Sequence, residues 1–346
     1  MMTEDSEANL PYYLVRNDSF GIARPEDELL HPEMNAAIEH ETLSETQYFS
    51  FSIPEARIHS YMYLWHHPNL RVVTGGAWVW QGSKRHAVEA ELNDYRLFMR
   101  DDVLKNDLHD YRLANGYGVR VIEPLKRMQV TYSDPERGNS FDLEYTALMP
   151  PVMTADNRHF EQPMRVCGEL FLRGAPHRVD GFTIRDRSWG KPRQEDNRRL
   201  PPLTTLQGVF SEDFSFSSFL FDDVSQDKDF ESFALPRSKL IPSGSWIYRD
   251  GKLGAIVKAK RSVRRNPDTF HTEKMLLKVT DSLDRTIEVT ATTITTWPSY
   301  GFWPNQMVLC NCVELECAGL RTHGEIFDLY SNDYMQHRAN LIAQRC

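Results

Sequence analysis

The sequence predicts an all-β fold. Across its 346 residues, short runs of alternating apolar and polar residues recur, bounded by Gly, Pro, Asn and Asp. Little of the chain shows apolar residues at helical spacing. Tight-turn signals such as Asp250-Gly251 and Asp134-Pro135 fall between the runs, as antiparallel hairpins require. The pattern therefore indicates antiparallel sheets joined by short turns, with a few short helices.

The predicted strands fall into two sets separated by a charged segment in mid-chain. The first set covers residues 47–53, 57–65, 71–74, 77–80, 118–122, 128–132 and 141–145. The second set covers residues 205–210, 214–221, 245–248, 254–258, 275–279, 286–292 and 307–313. Short helices are expected within residues 24–46 and 323–346. Each set is long enough to bury a core of its own.

The length of the chain indicates two domains. Single domains rarely exceed 250–300 residues, so two domains of roughly 150–180 residues are expected here. The segment 149–158 contains two prolines and weak periodicity, which makes it the best linker candidate. We predict an N-terminal β domain at residues 1–164 and a C-terminal β domain at 165–346. Barrels of about eight strands hold one small ligand, and an apolar one is expected here.

Composition restricts the partners of the protein. The net charge of −9 argues against a nucleic-acid-binding surface. The N-terminus lacks a signal-peptide pattern and no run approaches the ~20 apolar residues of a membrane span, so a cytoplasmic location is expected. Phosphate-loop, dinucleotide-binding and metalloprotease motifs are missing from the sequence, and no cofactor is predicted.

The cysteines could be read in two ways. The chain has five, and three of them crowd into the segment 310–317. Cys310, Cys312 and Cys317 have no C-x2-C spacing and lie in a predicted strand, so we favour packing as small apolar side chains over zinc binding.

The segment 185–190, Arg-Asp-Arg-Ser-Trp-Gly, is the most informative in the chain. In an extended strand Arg185, Arg187 and Trp189 share one face, while Asp186 and Ser188 share the other. Burying either face buries charge, which is normally paired and is over-represented at functional sites. The alternative is a structural Arg–Asp pair beside a packing tryptophan.

This motif also carries a family resemblance. Together with 159–163 (His-Phe-Glu-Gln-Pro), Cys167-Gly168 and 179–181 (Val-Asp-Gly), it resembles the domain related to carotenoid 1,2-hydratases (hydroxyneurosporene synthases) and AttH-like proteins. Weaker similarity covers residues 45–82 and 312–325. The resemblance implies two consecutive lipocalin-like β domains, a ligand cavity near their interface, and cofactor-free addition of water to an isoprenoid alkene.

The resemblance also suggests catalytic residues. The hydratase motif reads His-Asn-Trp-Gly, whereas this chain has Arg187 in place of the histidine, and arginine cannot shuttle a proton. Trp189 keeps its place and is suited to stabilise a carbocation by cation–π attraction. Asp186, as a base or as the residue that orients Arg187, and Glu325, as an acid, complete the predicted catalytic set.

A second set of residues is expected to line the ligand site. Aromatic residues are frequent on the predicted strands, and the family's Tyr and Asp on a later strand have no secure counterpart here. The nearest acids are Asp213 and Asp222. The predicted ligand-binding residues are Trp65, Phe214, Phe216, Asp222 and Trp303.

Two functions from different classes follow from the sequence. The first is a cofactor-independent lyase or isomerase, of hydratase, dehydratase or cyclase type, acting on a hydrophobic isoprenoid- or steroid-like molecule. The second is a non-catalytic lipocalin-like carrier or sensor of a lipophilic ligand. A pericyclase is a third possibility. A titratable group that lines the cavity would favour an enzyme, whereas a purely apolar cavity with Asp186, Asp213, Asp222 and Glu325 outside it would favour the carrier.

Overall fold

The computed structural model describes residues 20–192, 199–242, 244–303 and 305–345. The described residues divide into two compact units, 20–192 and 199–345. Both are built from antiparallel strands, which confirms the predicted all-β fold.

The first unit contains one twelve-stranded sheet. A helix α1 (Pro32–Ala36) and a 3-10 turn (Pro25–Glu28) precede it. Its strands are β1 (Leu43–Phe49), β2 (Ser52–Ile53), β3 (Ile58–His67), β4 (Val72–Gln81), β5 (Leu92–Arg100), β6 (Asp110–Arg112), β7 (Gly118–Glu123), β8 (Arg127–Asp134), β9 (Asn139–Ala147), β10 (Val152–Met153), β11 (His159–Leu172) and β12 (Ala175–Pro192).

The strands of the first unit enclose a large apolar core, and a smaller cluster of Met153, Phe160 and Trp189 lies apart from it. The main path runs β5-β4-β3-β1-β12-β11-β9-β8-β7-β6, so β5 and β6 form its edges. Val73 of β4 and Val119 of β7, from distant parts of this path, belong to the same buried cluster, so the sheet curls around its core. Alternation explains the pattern: on β9, Phe141, Leu143 and Tyr145 are buried while the residues between them face out or are half-buried.

The second unit is a closed barrel. Its strands are β13 (Leu203–Ser211), β14 (Phe214–Phe221), β15 (Trp246–Arg249), β16 (Lys252–Arg265), β17 (Thr272–Asp281), β18 (Thr286–Trp303), β19 (Gln306–Cys317) and β20 (Leu320–Ser331), followed by helix α2 (Asn332–Arg345). Each strand pairs with its sequence neighbour, and β20 closes the barrel on β13. Closure leaves no open sheet edge among these eight strands.

The barrel is tied together internally by a buried carboxylate. Asp328 of β20 accepts hydrogen bonds from Thr204 of β13, from the backbone and hydroxyl of Thr272 of β17, and from Asn311 of β19. Four strands therefore converge on one fully buried side chain. The main apolar cluster of this unit packs around Phe216, Leu277 and Leu315.

Three details differ from the sequence-based expectation. Strand β11 runs through the predicted domain boundary at 164/165. The described residues divide between 192 and 199 instead, because β12 pairs with β1 and β11 and so belongs to the first unit. The predicted linker 149–158 contains β10, which pairs with β11. Of the segment 323–346, residues 323–331 are strand and helix α2 begins at Asn332.

Candidate functional site: two faces of strand β12

Strand β12 presents its charged motif on two different faces. Arg185, Arg187 and Trp189 are fully buried on one face, whereas Asp186 and Ser188 are half-buried on the other. The predicted alternation is therefore confirmed. The two faces have different surroundings, and they suggest different roles.

Arg185 is bound to a carboxylate from the N-terminal segment of the unit. Its two Nη groups donate to the two oxygens of Glu28 at 2.7 and 2.8 Å, and its Nε and Nη2 donate to Gln162 Oε1 at 3.0 and 2.6 Å. Burial alone would raise the pKa of Glu28, but the charge and hydrogen bonds of Arg185 outweigh it, so the pKa of this carboxyl is lowered. The pair is a buried, bidentate ion pair.

Arg187 binds the same segment and a second carboxylate. It donates to the backbone oxygens of Glu28 at 2.5 Å and Leu29 at 3.0 Å, and to Glu45 at 3.2 Å. Glu45 also accepts from the backbone and ring of His31, at 2.8 and 3.0 Å. The acidic partners of the motif arginines are thus Glu28 and Glu45, while Asp186 lies on the opposite face.

Trp189 packs between two rings. The His31 ring stacks on it with centroids 4.3 Å apart and planes 6° from parallel, and Phe160 meets it edge-on at 6.1 Å. Gly190 follows with φ of +64°, and a Cβ there would come within 2.3 Å of Met34 Sδ. We name Arg185, Arg187, Trp189, Glu28 and Glu45 the clasp, because together they hold residues 28–45 on the sheet.

The other face of β12 belongs to a row of residues that crosses six strands. In register, Tyr95 of β5 lies opposite Gly76, which lies opposite Tyr63 of β3, and Tyr63 lies opposite Tyr48 of β1. Tyr48 lies opposite Asp186, and Asp186 lies opposite Glu161 of β11. We name this set the aromatic row: Tyr95, Gly76, Tyr63, Tyr48, Asp186 and Glu161.

Rings fill the row and its flanks. The ring centroid of Tyr48 lies 6.4 Å from that of Tyr63 and 4.9 Å from that of Tyr61. The ring centroids of Tyr61 and Trp78 are 5.9 Å apart. At Gly76 a Cβ would come within 2.0 Å of the Asp94 backbone oxygen. Next to this glycine, Trp78 stacks on Tyr95 at 4.2 Å. The result is an aromatic wall that leads across the sheet to two carboxyl groups.

Asp186 and Glu161, the last two residues of the row, are of a type that can transfer protons. Glu161 is 3% exposed, and its antiparallel partner Asp186 is half-buried. Directly paired residues on one sheet face have Cβ atoms about 4.5–5.5 Å apart, so these side chains are neighbours. At the other end, burial and then the neighbouring Tyr63 and Tyr117 raise the pKa of Tyr95, which keeps its phenol protonated.

The remaining predicted residue of the first unit lies beside the row. Trp65 is buried and lies on the same face of β3 as Tyr63. It lies opposite Thr46 of β1, and Thr46 lies opposite Ser188 of β12. Trp65 and Asp186 therefore lie on the same sheet face, as a common ligand site would require. Arg187 and Trp189 lie together on the clasp face, and their predicted contacts with a substrate stay predictions.

The predicted residues of the second unit do not form one cluster. Glu325 is buried and accepts a hydrogen bond from Gln207 at 2.8 Å. Phe214 and Phe216 belong to the barrel core. Phe216 lies opposite Gly208, which lies opposite Gly324. Because Glu325 follows Gly324 in the strand, Phe216 and Glu325 lie on opposite sides of the barrel wall.

Asp222 has a third environment in the barrel. It forms ion pairs with Arg261 and Arg265. Burial alone would raise its pKa, but the two guanidinium groups hold it below the usual value. The side chain of Trp303 lies outside the described residues.

Sequence reasoning missed Glu161 and gave no special weight to Tyr48, Tyr61 and Tyr63. A signal existed for each. Residues 59–65 place a ring at every second position, His59, Tyr61, Tyr63 and Trp65, and Glu161 lies within a strand whose neighbours are apolar or uncharged. What the sequence could not show is the pairing of β1 with β12 and of β12 with β11.

Within residues 20–192, 199–242, 244–303 and 305–345, no group of three or more His, Cys, Asp or Glu side chains is arranged to hold a metal ion. Cys310, Cys312 and Cys317 are buried thiols on β19. In the same part of the chain, the helices are too short or too polar to cross a bilayer.

The fold and the site define an antiparallel β protein with a closed eight-strand barrel and an aromatic, acidic sheet face. A family model for a domain of unknown function, DUF7064, matches residues 24–326, and the chain belongs to this family. None of the curated protein sequences is significantly similar to the chain.

Two solved structures share the fold. Kievitone hydratase from Nectria haematococca superposes with a TM-score of 0.54 at 11% identity, covering 93% of this chain and 99% of the hydratase. A protein described as AttH from Nitrosomonas europaea superposes with a TM-score of 0.62 at 12% identity, with the same coverage of 93% and 99%. At these identities the likeness shows a common fold.

Proposed function

We propose that this protein is a cofactor-independent lyase of the hydratase type, which adds water to, or removes it from, a hydrophobic isoprenoid- or steroid-like molecule. The observation that carries the proposal is the pairing of Glu161 with Asp186 at the end of the aromatic row. A carrier needs an apolar surface alone, whereas this surface ends in two acids. The fold is also one that supports a hydratase, kievitone hydratase.

The carboxyl pair supplies both proton transfers of a hydration. In this proposal the two carboxyls hold one proton between them; the protonated member transfers it to one alkene carbon, and the π electrons form the new C–H bond. The other carboxylate removes a proton from a water molecule as the water oxygen bonds to the second carbon. One water has then been added, the pair again holds one proton, and dehydration is the reverse.

The tyrosines stabilise the intermediate charge. Protonation of the alkene leaves a carbocation next to the carboxyl pair. Tyr48 lies opposite Asp186 in register, and Tyr63 lies opposite Tyr48, so their rings follow the carboxyl pair along the row. An aromatic face stabilises a cation by about 0.5–2 kcal/mol, more where water is excluded. In this proposal Arg187 and Trp189 position β12 through the clasp, and Glu325 is a further candidate acid.

The test is hydration of prenylated phenols and isoprenoid alkenes in ¹⁸O-labelled water, followed by mass spectrometry. We expect products that have gained one labelled water. Glu161→Gln and Asp186→Asn should each lower the rate by about 100-fold or more, since removing a general acid or base typically costs 10²–10⁴-fold.

Asp180→Asn is the matched control. Asp180 is on the same strand, but it is exposed and pairs with Arg165 and Arg178 on the surface. Its variant should keep the wild-type rate. Wild-type rates in both the Glu161→Gln and Asp186→Asn variants would exclude the carboxyl pair, and a ligand that binds without turnover would support the carrier.

A further inference from the structure

Strand β5 displays apolar side chains to solvent at the edge of the first unit's sheet. Leu97 is 56% exposed and Phe98 is 71% exposed. Val73 pairs with Met99 and Gly75 with Arg96, so Leu97 and Phe98 together oppose the single residue Thr74. This is a β-bulge, a feature that redirects side chains and interrupts strand pairing.

Phe98 adopts a conformation that aromatic residues avoid. Its φ is +53°, in the left-handed region that favours glycine. The backbone N–H of Phe98 donates to Thr74 Oγ1 at 3.2 Å, which holds the bulge in place. A strained backbone is maintained here, yet the large apolar side chain that it directs outward is not buried. Such outliers are concentrated at functional sites.

Arginine side chains surround this bulge. Arg96 and Arg100 flank it on β5, and Arg71 meets the end of β5 where the Asp101 backbone N–H bonds to the Arg71 oxygen. Leu70, beside Arg71, is 50% exposed. We name Leu70, Leu97, Phe98, Arg71, Arg96 and Arg100 the edge patch.

The guanidinium groups form the outermost layer of the edge patch. Arg71, Arg96 and Arg100 are 79%, 54% and 85% exposed, whereas their partners Asp101, Asp94 and Asp102 are 17%, 16% and 48% exposed. Asp101 and Asp94 therefore lie beneath the guanidinium groups, whereas Asp102 is itself half exposed. A partner that approaches this patch meets cations and apolar tips first, although the whole chain carries a charge of −9.

We propose that the edge patch docks on an anionic lipid membrane, with Phe98, Leu97 and Leu70 inserted between headgroups and the arginines bound to lipid phosphates. Exposed Phe and Leu beside Arg is the combination that peripheral proteins use at such surfaces. A second copy of the chain fits less well, because the bulge interrupts the edge that strand pairing would need. This inference goes beyond the proposed hydratase function and does not depend on it.

The test is co-sedimentation of the full chain with vesicles of phosphatidylcholine alone or of phosphatidylcholine with phosphatidylserine. We expect binding to the anionic vesicles. Phe98→Gly should weaken it by roughly tenfold, because one inserted ring is lost. Glycine adopts positive φ without strain, so this variant should fold at least as well as the wild type.

Two further variants make the result specific. Phe171→Ser removes another exposed aromatic side chain of the same unit, 41% exposed on β11, and should leave vesicle binding unchanged. Arg96→Gln with Arg100→Gln should remove the preference for anionic vesicles. The proposal is overturned if the wild type does not bind anionic vesicles, or if Phe98→Gly binds them as well as the wild type does. It is also overturned if the wild type self-associates and Phe98→Gly abolishes that self-association but not vesicle binding, since the patch would then bind a second copy of the chain.

Discussion

At the residue scale, Arg185 and Glu28 illustrate the energetics of buried charge. Both side chains are fully buried, and each satisfies the other. Such a pair contributes little net stability compared with apolar residues, since both ions lose their hydration. Removing one partner leaves the other as an uncompensated buried charge, and this is much more costly.

We therefore predict that Glu28→Gln lowers the free energy of unfolding by about 3–5 kcal/mol. Denaturant titration monitored by circular dichroism measures it. Asp180→Asn, which removes a surface pairing partner, should leave the midpoint of the transition unchanged. An equally small effect of Glu28→Gln would show that residues 28–45 are held by other contacts.

His59 makes the stability dependent on pH. The residue is fully buried against Trp80, and burial lowers its pKa to about 3. The unfolded chain, with a histidine pKa of about 6.5, binds a proton that the folded chain does not bind between these values. Stability from this group is therefore complete above about pH 6.5 and is lost as the pH falls toward 3.

We expect the free energy of unfolding to fall by about 1.4 kcal/mol per pH unit from this residue between roughly pH 6 and 4. Urea titrations at several pH values measure the slope. Burial also lowers the pKa of His66. The free energy of unfolding of the wild type therefore changes with pH more steeply than His59 alone would cause. His59→Asn should reduce the slope by one proton, and an unchanged slope would contradict the assignment.

At the element scale, Asp328 joins strands that are far apart in sequence. Its bonds reach β13, β17 and β19 within the barrel interior. We predict that Asp328→Ala destabilises the barrel by about 2–4 kcal/mol, because it leaves several buried donors unsatisfied. Urea unfolding measures the change. Glu288→Gln, on an exposed cross-strand pair with Lys278, is the control and should have little effect.

The individual strands could be predicted from the sequence, but their partners could not. Alternation alone identifies β9, where buried and outward residues follow one another. The same alternation divides 185–189 into two faces. Which carboxylates meet Arg185 and Arg187 was beyond prediction, since Glu28 is 157 positions from Arg185 and Glu45 is 142 from Arg187. Local patterns carry no information about such distant contacts.

At the scale of the whole molecule, the predicted fold class is confirmed while the division of the chain is displaced. Length and composition indicate two β units, but the prolines near 150 suggest a linker where β10 and β11 continue the first sheet. The motif 185–190 consequently belongs to the first unit. Proline marks a break in local structure, and here that break is a turn within a sheet.

Sequence reasoning selected two residues of this sheet face, and their roles in a site stay predictions. Asp186 and Trp65 were chosen from sequence and share a sheet face, whereas Glu161 emerged only from strand pairing. Residue type indicates which side chains can do chemistry, and topology decides which of them meet.

The two faces of β12 have a consequence for how the chain folds. If β12 slipped by one residue against β1, Asp186 would enter the clasp beside Glu45, and the two arginines would enter the aromatic row. Both outcomes place unmatched charge in buried surroundings. The motif therefore penalises incorrect pairing while the sheet assembles, and a chain that has closed the clasp has already placed its carboxyl pair.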